Sequence, residues 1–138
     1  MPQIRRATRD DVASIVALYD SHNEPPAADA FAEIDADPKQ LLCVAEIDGA
    51  IVGTMHLTTL RYLSFGGARA MLVEAVFVRE AARGRGIGTA MIRFAIDEAR
   101  KRGCNRVQLT SNKARKDAHR FYERLGFVAS HEGFKLYL

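Results

Sequence analysis

Three stretches of the chain hold residue types able to do chemistry: a carboxylate inside an apolar run, a tyrosine in a helical pattern, and a loop alternating glycine with arginine. Glu74 stands in "MLVEAVFV" (71–78). Strict alternation puts Leu72, Glu74, Val76 and Val78 on one face of a strand. A carboxylate among valines loses hydration, which raises its pKa toward the range useful to a general base. The same pattern also suits a structural carboxylate paired with an arginine. Tyr122 lies in "KDAHRFYERLG". An ordinary phenol pKa of about 10 is close enough to that of a thiol to protonate a departing thiolate. On spacing alone, Tyr122 shares a face with Ala118, Phe121 and Leu125 and is equally a core aromatic.

The third stretch, "RGRGIGTAM" (83–91), follows the apolar run and opens a helical pattern. The first turn of a helix presents unpaired N–H groups and a partly positive dipole end. Glycines let an anion approach those groups, and Arg83 and Arg85 add charge, so the stretch suits a phosphate. The spacing excludes both the Walker loop and the dinucleotide G-x-G-x-x-G pattern. Alone, it is also compatible with a purely structural turn.

Other reactive side chains carry less. His56 falls on a strand, as an acceptor-facing or simply satisfied histidine. His119 reads as a surface or phosphate-side residue, and His22 lies in a loop able to line a pocket. Cys43 reads as a small core residue. No His/Cys/Asp cluster has metal-ligand spacing, so no metal is expected.

The elements that must position these residues follow from periodicity. "QIRRAT" reads as a strand, and "DDVASIVALYDSH" as a helix with Asp10 as N-cap. "EPPAADAFAEIDADP" holds a short helix at best. "LLCVAEI" and "AIVGTMHLTTL" form a hairpin about Asp48-Gly49. "SFGGAR" is a turn and "RAMLVEAVFV" a long strand. A helix then runs to about Lys101, stopped by Gly103. "RVQLTS" is a strand, "KDAHRFYERLG" a helix ended by Gly126, and "FVAS" and "FKLYL" two closing strands. The order β-α-(α)-β-β-β-α-β-α-β-β predicts an α/β (α+β) mixed sheet, with a right-handed β-α-β unit over residues 70–110.

The 138 residues suit one domain, 1–138, with a sizeable core. No apolar run approaches a membrane span, and "MPQIRRATRDD" has no signal-peptide core. Two cysteines without metal or redox spacing fit a reducing cytoplasm. From Arg79 to Arg124 there are thirteen Lys/Arg against five Asp/Glu, which suits an anionic partner. From Asp20 to Asp37 there are six Asp/Glu and no Lys/Arg, a solvated face or an attraction for a cationic substrate. The basic stretch has few interleaved aromatics and no recognisable reading motif, so nucleic acid is not expected.

Arg83-x-x-Gly86-x-Gly88 matches the [QR]-x-x-G-x-[GA] signature of the GNAT superfamily of acyl-CoA N-acyltransferases, placed after a V-x-V strand end (Val76-Phe77-Val78). "DAHRFYERLGF" (117–127) resembles the second family hallmark, A-x-x-[LF]-Y-x-x-x-G-F. The resemblance extends over essentially the whole chain. It implies a mostly antiparallel sheet with a central parallel β-α-β unit and helices on both faces. It implies acetyl-CoA as donor, its pyrophosphate on the loop of Arg83, Gly84, Arg85, Gly86, Ile87, Gly88 and Thr89. The pantetheine arm would pair with Val76, Phe77 and Val78, where the fourth strand bulges and splays from the fifth. Asn112, Ala118 and Phe121 complete the implied cofactor set, although Arg115 stands where many members carry asparagine. Glu74 aligns with the family's base and Tyr122 with its acid, the oxyanion donor being a backbone N–H near Val76. The C-terminal run is similar to the small-molecule branch, including aminoalkylphosphonate N-acetyltransferases. The implied reaction is acetyl transfer to a primary amine by direct attack in a ternary complex. Protein or peptide N-acetylation and a non-catalytic CoA-sensing module are the alternatives. The strand "FKLYL" is compatible with pairing to a second chain as a homodimer.

Overall fold

The computed structural model describes residues 1–19 and 28–138, in two units, Met1–Gln108 and Leu109–Leu138. His22 and the start of the acidic segment, Asp20 and Glu24, lie outside the described residues.

In the first unit a five-stranded sheet runs in the order β1-β2-β3-β4-β5. β1 is Gln3–Arg6, β2 Gln40–Ile47, β3 Ala50–Arg61, β4 Arg69–Val78 and β5 Cys104–Gln108. The first three pairings are antiparallel and the last is parallel. Asp48 (φ 50°) and Gly49 (φ 80°) both turn left-handed between β2 and β3, as a two-residue hairpin turn that follows the strand twist requires.

Two bulges set which residues share a face. One falls at Ala45/Glu46 in the β2–β3 pairing. The other falls where Thr54 opposes Phe77 but His56 opposes Glu74, so β4 spends one more residue than β3. Ala75, at φ 50°, marks that extra residue.

Helices cover both faces. On one side, α1 (Val12–Leu18) and α2 (Ala28–Ala36) join a core of Ala7, Ile15, Phe31, Leu42, Val44 and Ile51. On the other, α3 (Ile87–Lys101) buries Ile87, Met91, Ile92, Ala95 and Ala99, the spacing of one helical stripe. An added Cβ on Gly53 would stand 2.8 Å from Met91 Sδ, so the Met91 thioether of α3 packs directly over the bare Gly53 backbone. Each large apolar side chain buried there contributes about 1.5–3 kcal/mol.

Several local expectations need correction. Asp10 is not the first helix's cap. The chain instead enters through a 3-10 turn, Arg9–Asp11, capped at Thr8, whose backbone N–H donates to Asp11 Oδ2 at 2.7 Å. Arg5 donates to the same carboxylate at 2.7 Å and to Glu46 at 3.1 Å, tying β1, the turn and β2 together. β5 begins at Cys104, earlier than "RVQLTS", and stops at Gln108. Between β3 and β4, Ser64–Gly67 forms one tight turn with Phe65 and Gly66 left-handed.

In the second unit, α4 (Lys116–Arg124) ends where Gly126 turns left-handed at φ 99°. Within this unit the two expected closing strands are not assigned: residues 127–138 carry no strand. The parallel β4–β5 pair, linked through α3, is the expected β-α-β unit and is the last pairing of the first unit's sheet. No described helix is long and apolar enough to cross a membrane.

Candidate active site

The β4 bulge overturns the expected face for Glu74. Leu72 and Glu74 oppose Thr58 and His56, and Phe77 opposes Thr54, all on the face that carries α1 and α2. Val78 opposes Gly53 and therefore points to the α3 face, as does Val76 two residues before it. Glu74 is exposed and is not desolvated among valines.

What stands beside Glu74 is His56, its direct cross-strand partner. His56 Nε2 lies 2.7 Å from Gln40 Oε1, so the ring presents an N–H to that oxygen. Burial holds its pKa below the ordinary histidine value, and the negative charge of Glu74 offsets part of that effect. Phe77 packs at 5.2 Å against the ring of Tyr19, whose phenol burial pushes upward. Neither Gln40 nor Tyr19 was singled out from the sequence. Both enter through pairing register and helix placement, which carry no motif.

Beyond Glu74 the sheet opens. β4 pairs with β5 only from Arg69 opposite Cys104 to Leu72 opposite Gln108. From Val73 to Val78 β4 pairs with β3 and, among the described residues of the first unit, with no strand on its other edge. That edge includes Val76, Phe77 and Val78 and can receive an extended ligand as a further strand would be received.

The same strand feeds the glycine loop. Arg79 N–H donates to Val52 O at 2.8 Å and its guanidinium to Ile51 O at 2.7 Å, fixing the exit of β4. Arg83 Nε donates to Val78 O at 3.1 Å. Both side chains thus hold the loop in shape, a structural duty added to any charge they lend. Gly84 (φ 80°) and Gly86 (φ 78°) are left-handed, with nothing within 4 Å of an added Cβ. Gly86 caps α3, and the first helical hydrogen bond is Ala90 N–H to Gly86 O at 3.0 Å. The N–H groups of Gly86, Ile87, Gly88 and Thr89 consequently have no intrahelical acceptor. The Ile87 side chain is buried while its N–H remains in that open turn. The loop has donors, an approach without side chains, and Arg85 exposed beside it.

In the second unit, Tyr122 is half-buried between Phe121 (ring centroids 5.0 Å apart) and Phe127 (5.7 Å). Burial raises its phenol pKa, with Arg115 opposing, so the group stays protonated at neutral pH. Ala118 is buried. Asn112 Oδ1 accepts the Ala114 N–H at 2.9 Å, and its backbone oxygen faces His119 Nε2 at 2.9 Å, so His119 braces a turn. Cys43 is buried, its thiol pushed up to about 12, which removes it as a nucleophile. Among the described residues no group of three His, Cys, Asp or Glu could hold a metal ion.

The profile of the acetyltransferase (GNAT) family matches residues 8–127. An aminoalkylphosphonate N-acetyltransferase of Salmonella typhimurium is 32% identical over 137 residues, covering 96% of this chain and 88% of the relative. A glucosamine 6-phosphate N-acetyltransferase of Trypanosoma brucei brucei is 34% identical over 88 residues, 64% of this chain and 58% of that one. The crystal structure of a transcriptional regulator from Bacillus halodurans C-125 superposes with a TM-score of 0.94 at 38% identity, with 100% of both chains covered.

Proposed function

The chain belongs to the acetyltransferase (GNAT) family, and from that premise we propose that it transfers an acetyl group from acetyl-CoA to a primary amine of a small molecule, by direct attack in a ternary complex. The observation that carries the reading is the continuous surface made by β4 and its loop. The backbone of Val76–Val78 leads, through residues 79–85, to the open N–H groups that begin α3. A pantetheine arm beside the strand and a pyrophosphate at the helix start match that sequence of acceptors and donors. The thioester, when bound, supplies the acyl group.

Glu74 then takes the proton from the incoming ammonium, and Tyr122 gives one to the departing sulfur. A backbone N–H at the bulge near Val76 meets the developing oxyanion. Asn112, Ala118 and Phe121 are proposed as further donor-binding residues by the family resemblance alone, and the catalytic domain is taken as the whole chain. Both curated relatives act, by name, on small amines bearing a phosphorus oxyanion. This favours a small anionic amine over a peptide as acceptor. The two free cysteines fit a reducing, cytoplasmic setting.

The test is thiol release from acetyl-CoA with aminoalkylphosphonates, amino-sugar phosphates, polyamines, aminoglycosides and basic peptides as acceptors. The proposal expects turnover with a small amine and none with peptides. Peptide-selective turnover supports protein acetylation, and tight CoA binding with no turnover for any acceptor supports a sensing module.

A further inference from the structure

We propose that His56 Nδ1 is a second acceptor for the attacking amine, its lone pair assigned to that duty by a hydrogen-bond chain that starts at Asp37 and runs through Gln40. The inference rests on the reading of Glu74 as the group that takes the amine's proton. It goes beyond that reading by naming what holds the amine while the proton leaves. Asp37, Gln40, His56 and Glu74 all belong to the first unit.

The chain is fixed by what each group can donate or accept. Asp37 directly follows α2, and its carboxylate accepts the Lys39 N–H at 2.9 Å and the Gln40 side-chain Nε2 at 3.1 Å. The same two contacts, the Lys39 N–H first, hold its pKa below the ordinary carboxyl value. It is therefore ionised at neutral pH and only accepts. Gln40 turns its NH2 end to Asp37, which leaves Oε1 for His56. That oxygen also only accepts, and it lies 2.7 Å from His56 Nε2, so Nε2 carries the hydrogen. In a neutral imidazole the other nitrogen then holds a lone pair. Burial keeps the ring neutral by lowering its pKa. The turn that carries the chain is braced in turn. Asp37 N–H donates to Ile34 O at 3.1 Å, and Gln40 N–H to Asp37 O at 3.0 Å.

His56 Nδ1 has no hydrogen-bond partner among the described residues. Its ring stands directly across from Glu74 in the β3–β4 pairing. Cβ atoms of facing residues lie about 4.5–5.5 Å apart, so a half-buried imidazole and an exposed carboxylate share one spot on the sheet. Glu74 enters no ion pair among the described residues, so its charge is not spent on a cation of the protein.

An alkylammonium brings three N–H bonds to that spot. One proton passes to a Glu74 oxygen, and the N–H bonding pair stays on nitrogen as the lone pair that attacks the thioester carbonyl. A second N–H donates to His56 Nδ1 without transfer, which fixes the direction of that lone pair. The opposite tautomer would set an N–H against an N–H and repel the amine. Asp37 and Gln40 are thus positioning residues: they act on the amine only through the ring.

The experiment reads the ring nitrogens of His56 by NMR in the full chain at neutral pH. The expected signal is the Nε2–H tautomer, with the Nδ1 resonance shifting on titration with aminoethylphosphonate and not with ethylphosphonate, which lacks the amine. Gln40→Met should turn the single tautomer into a mixture. With an amine that turns over, His56→Leu should lower kcat/KM for that amine about tenfold, the worth of one hydrogen bond, and leave the KM for acetyl-CoA within about twofold. His56→Asn, whose amide oxygen can stand where Nδ1 stands, should recover most of the loss. A native Nδ1–H ring, an Nδ1 resonance indifferent to the amine, a Gln40→Met ring that keeps one tautomer, or a His56→Leu enzyme with native kcat/KM overturns the proposal. If His56→Leu fails to fold, the native and Gln40→Met spectra decide. The expected tautomer and amine shift without turnover for any acceptor would keep this proposal and remove the catalytic one. Turnover with an indifferent Nδ1 would do the reverse.

Discussion

Glu74 sits one residue before the β4 bulge, on the face away from α3 and opposite His56. Replacing it with glutamine keeps the size and removes the proton acceptor. Glu74→Gln should lower kcat by about 10²-fold or more, leave the KM for acetyl-CoA within about twofold, and flatten the acidic limb of the pH–rate profile. An unchanged acidic limb would remove Glu74 as base. Tyr122→Phe should likewise reduce kcat with the fold and the acetyl-CoA KM retained. Unaltered turnover would return Tyr122 to a packing role between Phe121 and Phe127. A third carboxylate acts on stability alone. Arg5 and the Thr8 N–H hold the Asp11 pKa down at about 2, the Arg5 hydrogen bond being the larger cause. A depressed folded-state pKa stabilises above the unfolded value of about 3.9 and is lost as pH falls from there toward 2. Unfolding titrations should therefore show native stability dropping through that window more steeply than in Asp11→Asn. That variant should itself be about 1–3 kcal/mol less stable at pH 7.

The glycine loop shows what an element adds to a motif. The three glycines in "RGRGIGTAM" have two different uses. Gly84 and Gly86 supply left-handed turns, and Gly88 lies within the first turn of α3. An alanine at Gly86 meets no neighbour, so its cost is the left-handed backbone alone, about 1 kcal/mol. Gly86→Ala should fold, lose about that much stability, and raise the KM for acetyl-CoA severalfold, because the reshaped turn misaligns the N–H groups of Ile87 to Thr89. Unchanged affinity would mean that the loop does not hold the donor's phosphates. This strand–loop–helix unit was legible in the sequence, because each part has a local signal: an apolar run, glycines at the turn, a helical stripe. The faces were not. The Asp48-Gly49 turn, taken alone, pairs His56 with Leu41; the bulge at Ala45/Glu46 moves it to Leu42 and to the other face. Alternation placed Glu74 with Val76 and Val78 until the bulge at Ala75 separated them. Each bulge inserts one residue, and one residue reverses every side chain beyond it, so an error with no sequence signal propagates along the strand. The closing strands failed for another reason. "FVAS" and "FKLYL" have strand composition, but composition does not supply the neighbouring edge that makes a strand.

At the scale of the whole chain the question is what the basic residues do. The net charge is only +3, yet thirteen Lys/Arg fall between Arg79 and Arg124. Several are committed locally: Arg79 and Arg83 to strand carbonyls, Arg102 to Glu98 at 3.1 Å, Arg106 to its own strand. Among the described residues, Arg85, Arg115, Lys116 and Arg120 enter no ion pair. All four are exposed, so their effect on a bound anion passes largely through water and is open to screening. If this surplus serves the phosphates of CoA, the affinity for the donor must depend on salt through those phosphates alone. Raising ionic strength from about 0.05 to about 0.5 M shortens the Debye length from roughly 14 Å to roughly 4 Å. The KM for acetyl-CoA should then rise severalfold. The KM for S-acetylpantetheine, which lacks the nucleotide and its phosphates, should move by less than about twofold. The amine acceptor must be saturating in both series, so that its own salt dependence does not enter. Equal shifts for the two thioesters would assign the basic surplus to some other duty. A salt-sensitive acetyl-CoA KM with an insensitive acetylpantetheine KM would assign it to the donor, and charge reversal at Arg85 should then reduce the salt effect.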